Sequence, residues 1–261
     1  MRISGHERQR YDCQLVLREV GERGQAAIRD AAVLVVGAGG LGAPVLYYLA
    51  AAGVGRIGIV DDDVVELSNL QRQILFTTAD IGRLKAEVAA ERLRALNSEV
   101  TPEPHTARLR AATAFALIDA YDLVVTAVDN FPTRYLLNDA CVLRGKTLVD
   151  GAVLRMTGLA MTIKGGESAC YRCLFPEPPP PAGVISCSEA GVLGPIPGLI
   201  GSIQALEVIK VLTGAGRPLY DRLLQYDGGA MTFNEVEVSR VPSCPVCGES
   251  PTVTELVDHD A

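Results

Sequence analysis

Ala31-Ala32-Val33-Leu34-Val35-Val36-Gly37-Ala38-Gly39-Gly40-Leu41-Gly42 is an unbroken apolar run that empties into a cluster of glycines. Residues 43–52 (APVLYYLAAA) then read as a helix that stops at Gly53. A buried strand, a glycine turn and a helix in that order open a βαβ unit. In this setting Gly37, Gly39, Gly40 and Gly42 let the backbone come close to phosphates at a helix N-terminus. A turn needed only for packing is the plain alternative.

Working outward, the next strand, Arg56 to Val60, ends in three aspartates, and Asp61 lies 24 positions past Gly37. That is near the roughly 20 expected of a carboxylate that holds ribose hydroxyls. Leu84 to Leu96 is an amphipathic helix, a strand follows near Val100, and Asp122 to Val128 is another buried strand. A helix over Pro132 to Leu143 and a strand at Thr147 to Asp150 continue the alternation, which predicts a Rossmann-like, mostly parallel sheet covered on both faces. Upstream, residues 8–18 and 25–30 read as helical pieces, with Tyr11, Leu15 and Val16 or Leu17 as an apolar stripe. Beyond Gly151 strand-rich segments (Leu154 to Ile163, Leu223 to Asp227, Met231 to Val238) flank a helix around Ile200 to Leu212, an antiparallel half. Prolines over residues 176–182 forbid regular structure there. The divisions expected are 1–152 for the N-terminal helices and nucleotide part, 153–250 for the antiparallel part and 251–261 for a tail, all in one integrated α/β domain.

The 261 residues are 48% hydrophobic and 21% charged, enough to bury a sizeable core. Twenty-four Lys and Arg against 31 Asp and Glu give a net charge of −7. With no basic run, nucleic acid and anionic membrane are poor partners. Seven cysteines, an odd number without a signal peptide or a long apolar span, point to reduced thiols and a cytoplasmic protein.

Several residues carry candidate chemistry. Asn69, Arg72 and Gln73 follow the second strand and Lys85 opens the amphipathic helix; Asp63 belongs to the aspartate triplet. A dehydrogenase has little use for two cations here, whereas displacement at phosphorus concentrates charge that Arg72 and Lys85 can stabilise. Lys85 read by itself is equally a solvated charge. Asp129 and Asn130 lie past the carboxyl end of a strand, where a carboxylate suits Mg²⁺ and where an N-cap is an equal reading. Cys170-x-x-Cys173 and Cys244-x-x-Cys247 can supply four thiolates to a closed, tetrahedral zinc site. Cys187, after the proline-rich stretch, is either a reactive thiol or an inert loop residue. Cys141, in an apolar helix, reads as core.

The ordered motifs RYDCQ, GAGGLG, DDDVVELSNLQRQILFTTADIGRLK, VDNFPTRYLLN, CYRCLFPE, CSEAGVLGP, GSIQALEVIK and CPVCG resemble the ThiF/MoeB family, the bacterial adenylyltransferases related to ubiquitin-activating enzymes. LSNLQRQILFTTADI looks closer to the ThiF branch than to MoeB. The resemblance implies that the C-terminal glycine carboxylate of a ubiquitin-like sulfur carrier ending in Gly-Gly attacks the α-phosphorus of ATP. It places the glycines under the phosphates, Asp61 on the ribose, Asn69, Arg72 and Lys85 on the triphosphate, Asp129 on magnesium, and Cys187 in a covalent or sulfur-transfer step. It further implies a homodimer, a ThiS-like carrier of thiamine biosynthesis, or else a MoaD-like carrier of molybdopterin synthesis or a carrier in a specialised pathway, and a sulfur donor protein. Cys13 stands where the family's RYxRQ motif has an arginine that reaches the partner's ATP, and Thr126-Ala127-Val128 departs from the usual DCT before Asp129. An NAD-dependent oxidoreductase, on the glycine motif alone, and a catalytically impaired binding module, on Cys13, are the alternatives.

Overall fold

A computed structural model of the chain describes residues 3–179 and 187–258, without the side chains of Cys187 and Ser188. The order is α1 (Gly5–Arg10), α2 (Asp12–Leu15), α3 (Gly21–Asp30), β1 (Ala32–Val36), α4 (Gly42–Ala52), β2 (Arg56–Val60), α5 (Lys85–Leu96), β3 (Thr101–His105), α6 (Ala111–Asp119) and β4 (Leu123–Thr126). It continues through α7 (Phe131–Leu143), β5 (Thr147–Leu154), β6 (Thr157–Lys164), α8 (Tyr171–Leu174), α9 (Cys187–Ala190), α10 (Pro195–Thr213), β7 (Arg222–Asp227) and β8 (Thr232–Glu237).

All eight strands form one sheet in the order β3-β2-β1-β4-β5-β6-β7-β8. The pairs from β3 to β5 are parallel and those from β5 to β8 antiparallel. β5 belongs to both halves: Thr147–Asp150 pair with β4, and all eight of its residues pair with β6. The boundary expected at residue 152 therefore falls inside a strand. β1 shows why its sequence is continuously apolar. Val33 and Val35 enter a core with residues of α4, α5 and α10, while Leu34 and Val36 enter a second core with α6 and α7 on the other face.

Three local departures from the sequence reading have physical causes, and the strand expected near Val100 forms despite its prolines. The expected helix over residues 8–18 breaks at Tyr11, whose buried hydroxyl accepts from Asn97 Nδ2 at 2.8 Å; Val16 and Leu17 of the expected apolar stripe are exposed. The strand expected from Leu154 begins at Thr157, because a two-residue turn with Arg155 at φ 56° joins it to β5 as a hairpin. β3 carries Pro102 and Pro104 yet remains a strand, being an edge strand that pairs with β2 alone among the described strands. The intervening residues donate the ladder bonds, as Thr101 N–H does to Gly55 O at 2.8 Å, and the prolines occupy the outward positions. α10 starts five residues early, at Pro195, where proline's missing N–H is no loss.

α10 is, among the described residues, the one helix long and apolar enough to cross a membrane by length and composition. Its buried face, including Ile200, Gly201, Gln204 and Val208, packs in the core instead. A Cβ on Gly201 would lie 2.4 Å from Leu41 O, so this glycine is what lets α10 press against the glycine turn. The proline-rich stretch 176–182 is described as far as residue 179 and carries no regular element there.

Candidate active site and four-cysteine cluster

A cavity of about 820 Å³ opens at the carboxyl ends of β1, β2, β4 and β5. It sits where the strand order reverses between β1 and β4, the position at which open α/β sheets bind ligands.

The glycines divide into two kinds. Gly37 has φ +99°, and a Cβ there would meet Ala127 O at 2.5 Å; one on Gly42 would meet Gly37 O at 2.0 Å. Packing of the turn on its own chain requires these two. Gly39 and Gly40 line the cavity, and their nearest obstacles are side chains, Gln73 at 3.5 Å and Pro197 at 3.2 Å. Bare backbone here faces the cavity, which fits a nucleotide's phosphates.

Asp61 anchors the turn to β2: its Oδ2 accepts from Ala38 N–H at 2.7 Å and its Oδ1 from Asp63 N–H at 3.0 Å. Burial raises its carboxyl above the usual range, offset in part by the Ala38 N–H and by Lys85. Lys85 opens α5 with only 5% exposure, and its Nζ lies 2.9 Å from Asp63 Oδ2. So Lys85 is not the solvated charge that a lone lysine suggests, and the Asp63 carboxylate is already engaged by it. Arg72 lines the cavity with Nη1 donating to Ser68 O at 3.2 Å. Gln73 is 4% exposed, also lines the cavity, and its Oε1 has no hydrogen-bond partner among the described residues. Such a buried polar atom calls for a partner.

Asp129 is exposed on the cavity wall. Asn130 is the N-cap of α7, its Oδ1 accepting from Thr133 N–H at 2.9 Å, so the capping reading describes its oxygen. Asn69 and Gly42 do not reach the wall; Asn69 is buried and closes its own turn by accepting from Glu66 N–H. Cys187 opens the short helix α9 rather than lying in a loop, and its side chain is outside the described residues. Pro179 before it and Val192 after it both line the cavity.

Sequence reading missed two polar pairs. Arg134, on α7, donates from Nη2 to Gly151 O at 2.7 Å and lies 3.3 Å from Asp150 Oδ1 through Nε. Both line the cavity, and burial raises the Asp150 carboxyl while Arg134 opposes that. The signal available was Asp150 at the end of the strand expected over residues 147–150. Arg172 and Asp139 form a buried pair beside the cysteines.

From Ala152 and Leu154 on β5 the cavity continues over Leu159 and Met161 on β6 to Leu223 on β7, an apolar trough on one sheet face. Behind it, α8 and residues 244–247 bring four thiols together. Cys170 and Cys244 Sγ are 3.6 Å apart, Cys173 and Cys247 3.4 Å, and all four lie within 4.8 Å of one another. A tetrahedral zinc with sulfurs at about 2.3 Å sets them about 3.8 Å apart, so the donors fit that metal. Val241 N–H points at Cys173 Sγ from 3.5 Å and the Arg240 Nε–H at Cys247 O from 2.7 Å, ordering the second pair. Hydrogen bonds shared among the thiols favour the Cys173 thiolate and push the Cys170 and Cys247 thiols up, the mutual repulsion expected of four close sulfurs. Cys141 is fully buried, and burial pushes its thiol far up, which makes it inert core.

Comparisons with known proteins agree with this geometry. A model described as the ThiF family matches residues 11–246. The sulfur carrier protein adenylyltransferase of Thermus thermophilus is 53% identical over an alignment that takes in 100% of this chain and 98% of that protein. The adenylyltransferase and sulfurtransferase MOCS3 of Anopheles gambiae is 47% identical over 99% of this chain and 59% of its own length, and that of Mus musculus 49% identical over 99% and 56%. The chain thus spans a little over half of the MOCS3 proteins. Among solved structures, E. coli MccB with MccA-N7isoASN superposes with a TM-score of 0.81 at 23% identity, covering 92% of this chain and 74% of that one. PaaA does so with a TM-score of 0.77 at 21% identity, covering 91% and 75%. At such identities the likeness is one of fold. The family model and the full-length relative settle the family: this chain belongs to the ThiF family.

Proposed function

We propose that this chain adenylylates the C-terminal glycine carboxylate of a ubiquitin-like sulfur carrier, consuming ATP and releasing pyrophosphate. The observation that carries the reading is the two-part cavity. Its one end joins bare glycine backbone, Asp61, Arg72, Gln73, Lys85 and Asp129, and its other end is an apolar trough open along β5 and β6. A nucleotide and an extended diglycine tail fit these ends, and a nicotinamide reading gives the trough and the two cations no task.

In this reading the phosphates lie against Gly39 and Gly40, and Asp61 accepts from the ribose. A carrier carboxylate oxygen attacks the α-phosphorus, an O–P bond forms, and the bond to pyrophosphate breaks. Lys85 and Arg72 stabilise the charge that grows on the departing oxygens. Asp129 is the carboxylate that would hold magnesium, which when bound neutralises phosphate charge. The four cysteines would hold zinc as a structural clip. Cys187 is proposed for a later covalent or sulfur-transfer step with the carrier or a sulfur donor protein, and a homodimer is the expected assembly.

For the pathway, a ThiS-like carrier of thiamine biosynthesis is the first reading. A MoaD-like carrier, or one serving a specialised pathway, is the second, favoured by relatives named for sulfur carriers and MOCS3 rather than for thiamine. The test is exchange of labelled pyrophosphate into ATP with purified diglycine-ended carriers. Carrier-dependent exchange supports the reading and ranks the carriers; no exchange with any of them defeats it.

A further inference from the structure

The two residues between the first pair of cluster cysteines have a task that neither thiol chemistry nor nucleotide binding uses. Tyr171 N–H donates to Asn138 Oδ1 at 2.8 Å, and the Arg172 guanidinium forks onto both oxygens of Asp139 at 2.7 Å each. Asn138, Asp139 and Arg172 are all buried, at 0%, 2% and 5% exposure. A third guanidinium nitrogen, Nη1, donates to Pro176 O at 2.8 Å. Beneath the same stretch the Tyr135 hydroxyl lies 3.0 Å from Phe175 O and 2.7 Å from Glu177 O, and Arg172 Cζ sits 4.7 Å from the Tyr135 ring centroid. Three successive backbone carbonyls therefore lie within reach of two side chains, one on α7 and one inside the cysteine knuckle, the single Tyr135 proton being shared between Phe175 O and the nearer Glu177 O. Surface connections ordinarily leave such carbonyls to water. The location matters too: Leu174, Phe175 and Glu177 line the cavity, the last two held from α7, whereas Asp61 follows β2 and Lys85 opens α5.

We infer that Arg172 and Tyr135 are positioning residues that tie the four-cysteine cluster to the wall formed by residues 174–177, and that this wall governs binding of the substrate's tail without governing nucleotide binding. The identity of that tail rests on the adenylylation reading; the tie itself rests on the contacts. Cys170 and Cys173 flank the segment that carries Arg172, so a metal bound by the four thiols fixes the turn from which the guanidinium reaches both Asp139 and Pro176 O. The bidentate fork sets the plane of the guanidinium, which is what aims the remaining N–H at the carbonyl.

The test uses the full-length protein. Arg172→Ala strands a buried carboxylate and risks misfolding, so Tyr135→Phe, which removes one hydroxyl and keeps the ring, is the main variant, with Arg172→Lys beside it. Amide hydrogen exchange at residues 171–175 and 177, the positions of the 171–179 stretch that carry an N–H, is followed in wild type, in both variants and in wild type treated with a thiol-competing chelator. Each perturbation should speed exchange there by about two- to ten-fold, the worth of one net hydrogen bond, and leave residues 37–42 unchanged. Tyr135→Phe should keep its metal and its ATP affinity. With a diglycine-ended carrier active in pyrophosphate exchange, its KM for the carrier should rise about two- to ten-fold while KM for ATP and kcat stay put. Unchanged protection over 171–179, or a loss of ATP affinity that matches the loss of carrier affinity, overturns the inference. If no carrier supports exchange with wild type, the adenylylation reading fails, and the amide exchange still decides the tie.

Discussion

Lys85 separates a catalytic cation from a structural one. Its ammonium is buried, yet its partner Asp63 has a side chain 69% exposed. Water can replace Lys85 on that carboxylate, so the pair is worth no more than about 1 kcal/mol to the fold, and Asp61, whose charged form Lys85 also favours, keeps its bonds from Ala38 N–H and Asp63 N–H. Lys85→Met keeps an unbranched stem at this buried position of α5, so the free energy of unfolding should change by less than about 1 kcal/mol. The chemistry should respond differently. A preorganised donor aimed at charge that develops in a partly dry cavity contributes about 2.7–4 kcal/mol, or about 10²- to 10³-fold in rate. Two measurements on one variant decide the matter: carrier-dependent pyrophosphate exchange and urea unfolding. An exchange rate within about ten-fold of wild type, or a stability loss above about 3 kcal/mol, would mark Lys85 as a strut and refute the assignment.

Other expectations follow from single sites. Metal analysis should find about one zinc per chain, and Cys244→Ser should remove it, since three thiolates leave the tetrahedron open; wild-type protein free of zinc would reject the site. Asp80 offers a pH test: burial would raise its carboxyl, but hydrogen bonds from Thr77 and Arg92 outweigh that and hold it at about 2. Its stabilisation is complete above the unfolded value near 4 and is lost as pH falls toward 2. Asp80→Asn should therefore cost about 1–2 kcal/mol at pH 7 and less at pH 3, read from urea midpoints. Cys13 is exposed on α2, so Cys13→Arg should fold normally and speed pyrophosphate exchange; no gain would show that adenylylation does not need a cation there. Cys187→Ser should leave that exchange intact and block a later thiol-dependent step, which carrier thiocarboxylate formation measures.

Much of the site is legible in the chain's local patterns. The run from Ala31 to Gly42 announces strand, turn and helix because apolar periodicity and glycine conformation are local properties. The same holds for the aspartates after β2, the Lys85 that opens α5, and the two CxxC pairs, whose spacing declares a common task. What the sequence left open were choices between equal local readings. Asn130 became an N-cap, and Lys85 became buried, once neighbouring elements were in place.

By itself, then, the sequence determined the βαβ alternation, the glycine turn and aspartates at one end of the cavity and the membership of the cysteine quartet, since each is encoded in short local motifs. Tertiary structure alone decided that β5 joins the parallel and antiparallel halves, that Asp63 engages Lys85, and that Arg134 meets Asp150. It also decided that Arg172, one residue from a cluster cysteine, holds Asp139 33 positions earlier and Pro176 O, which lies between Phe175 and Glu177 of the cavity wall. Such pairings carry no periodic signal. They arise when distant segments are packed into the same dry space and each buried charge must find the partner that packing brings within reach.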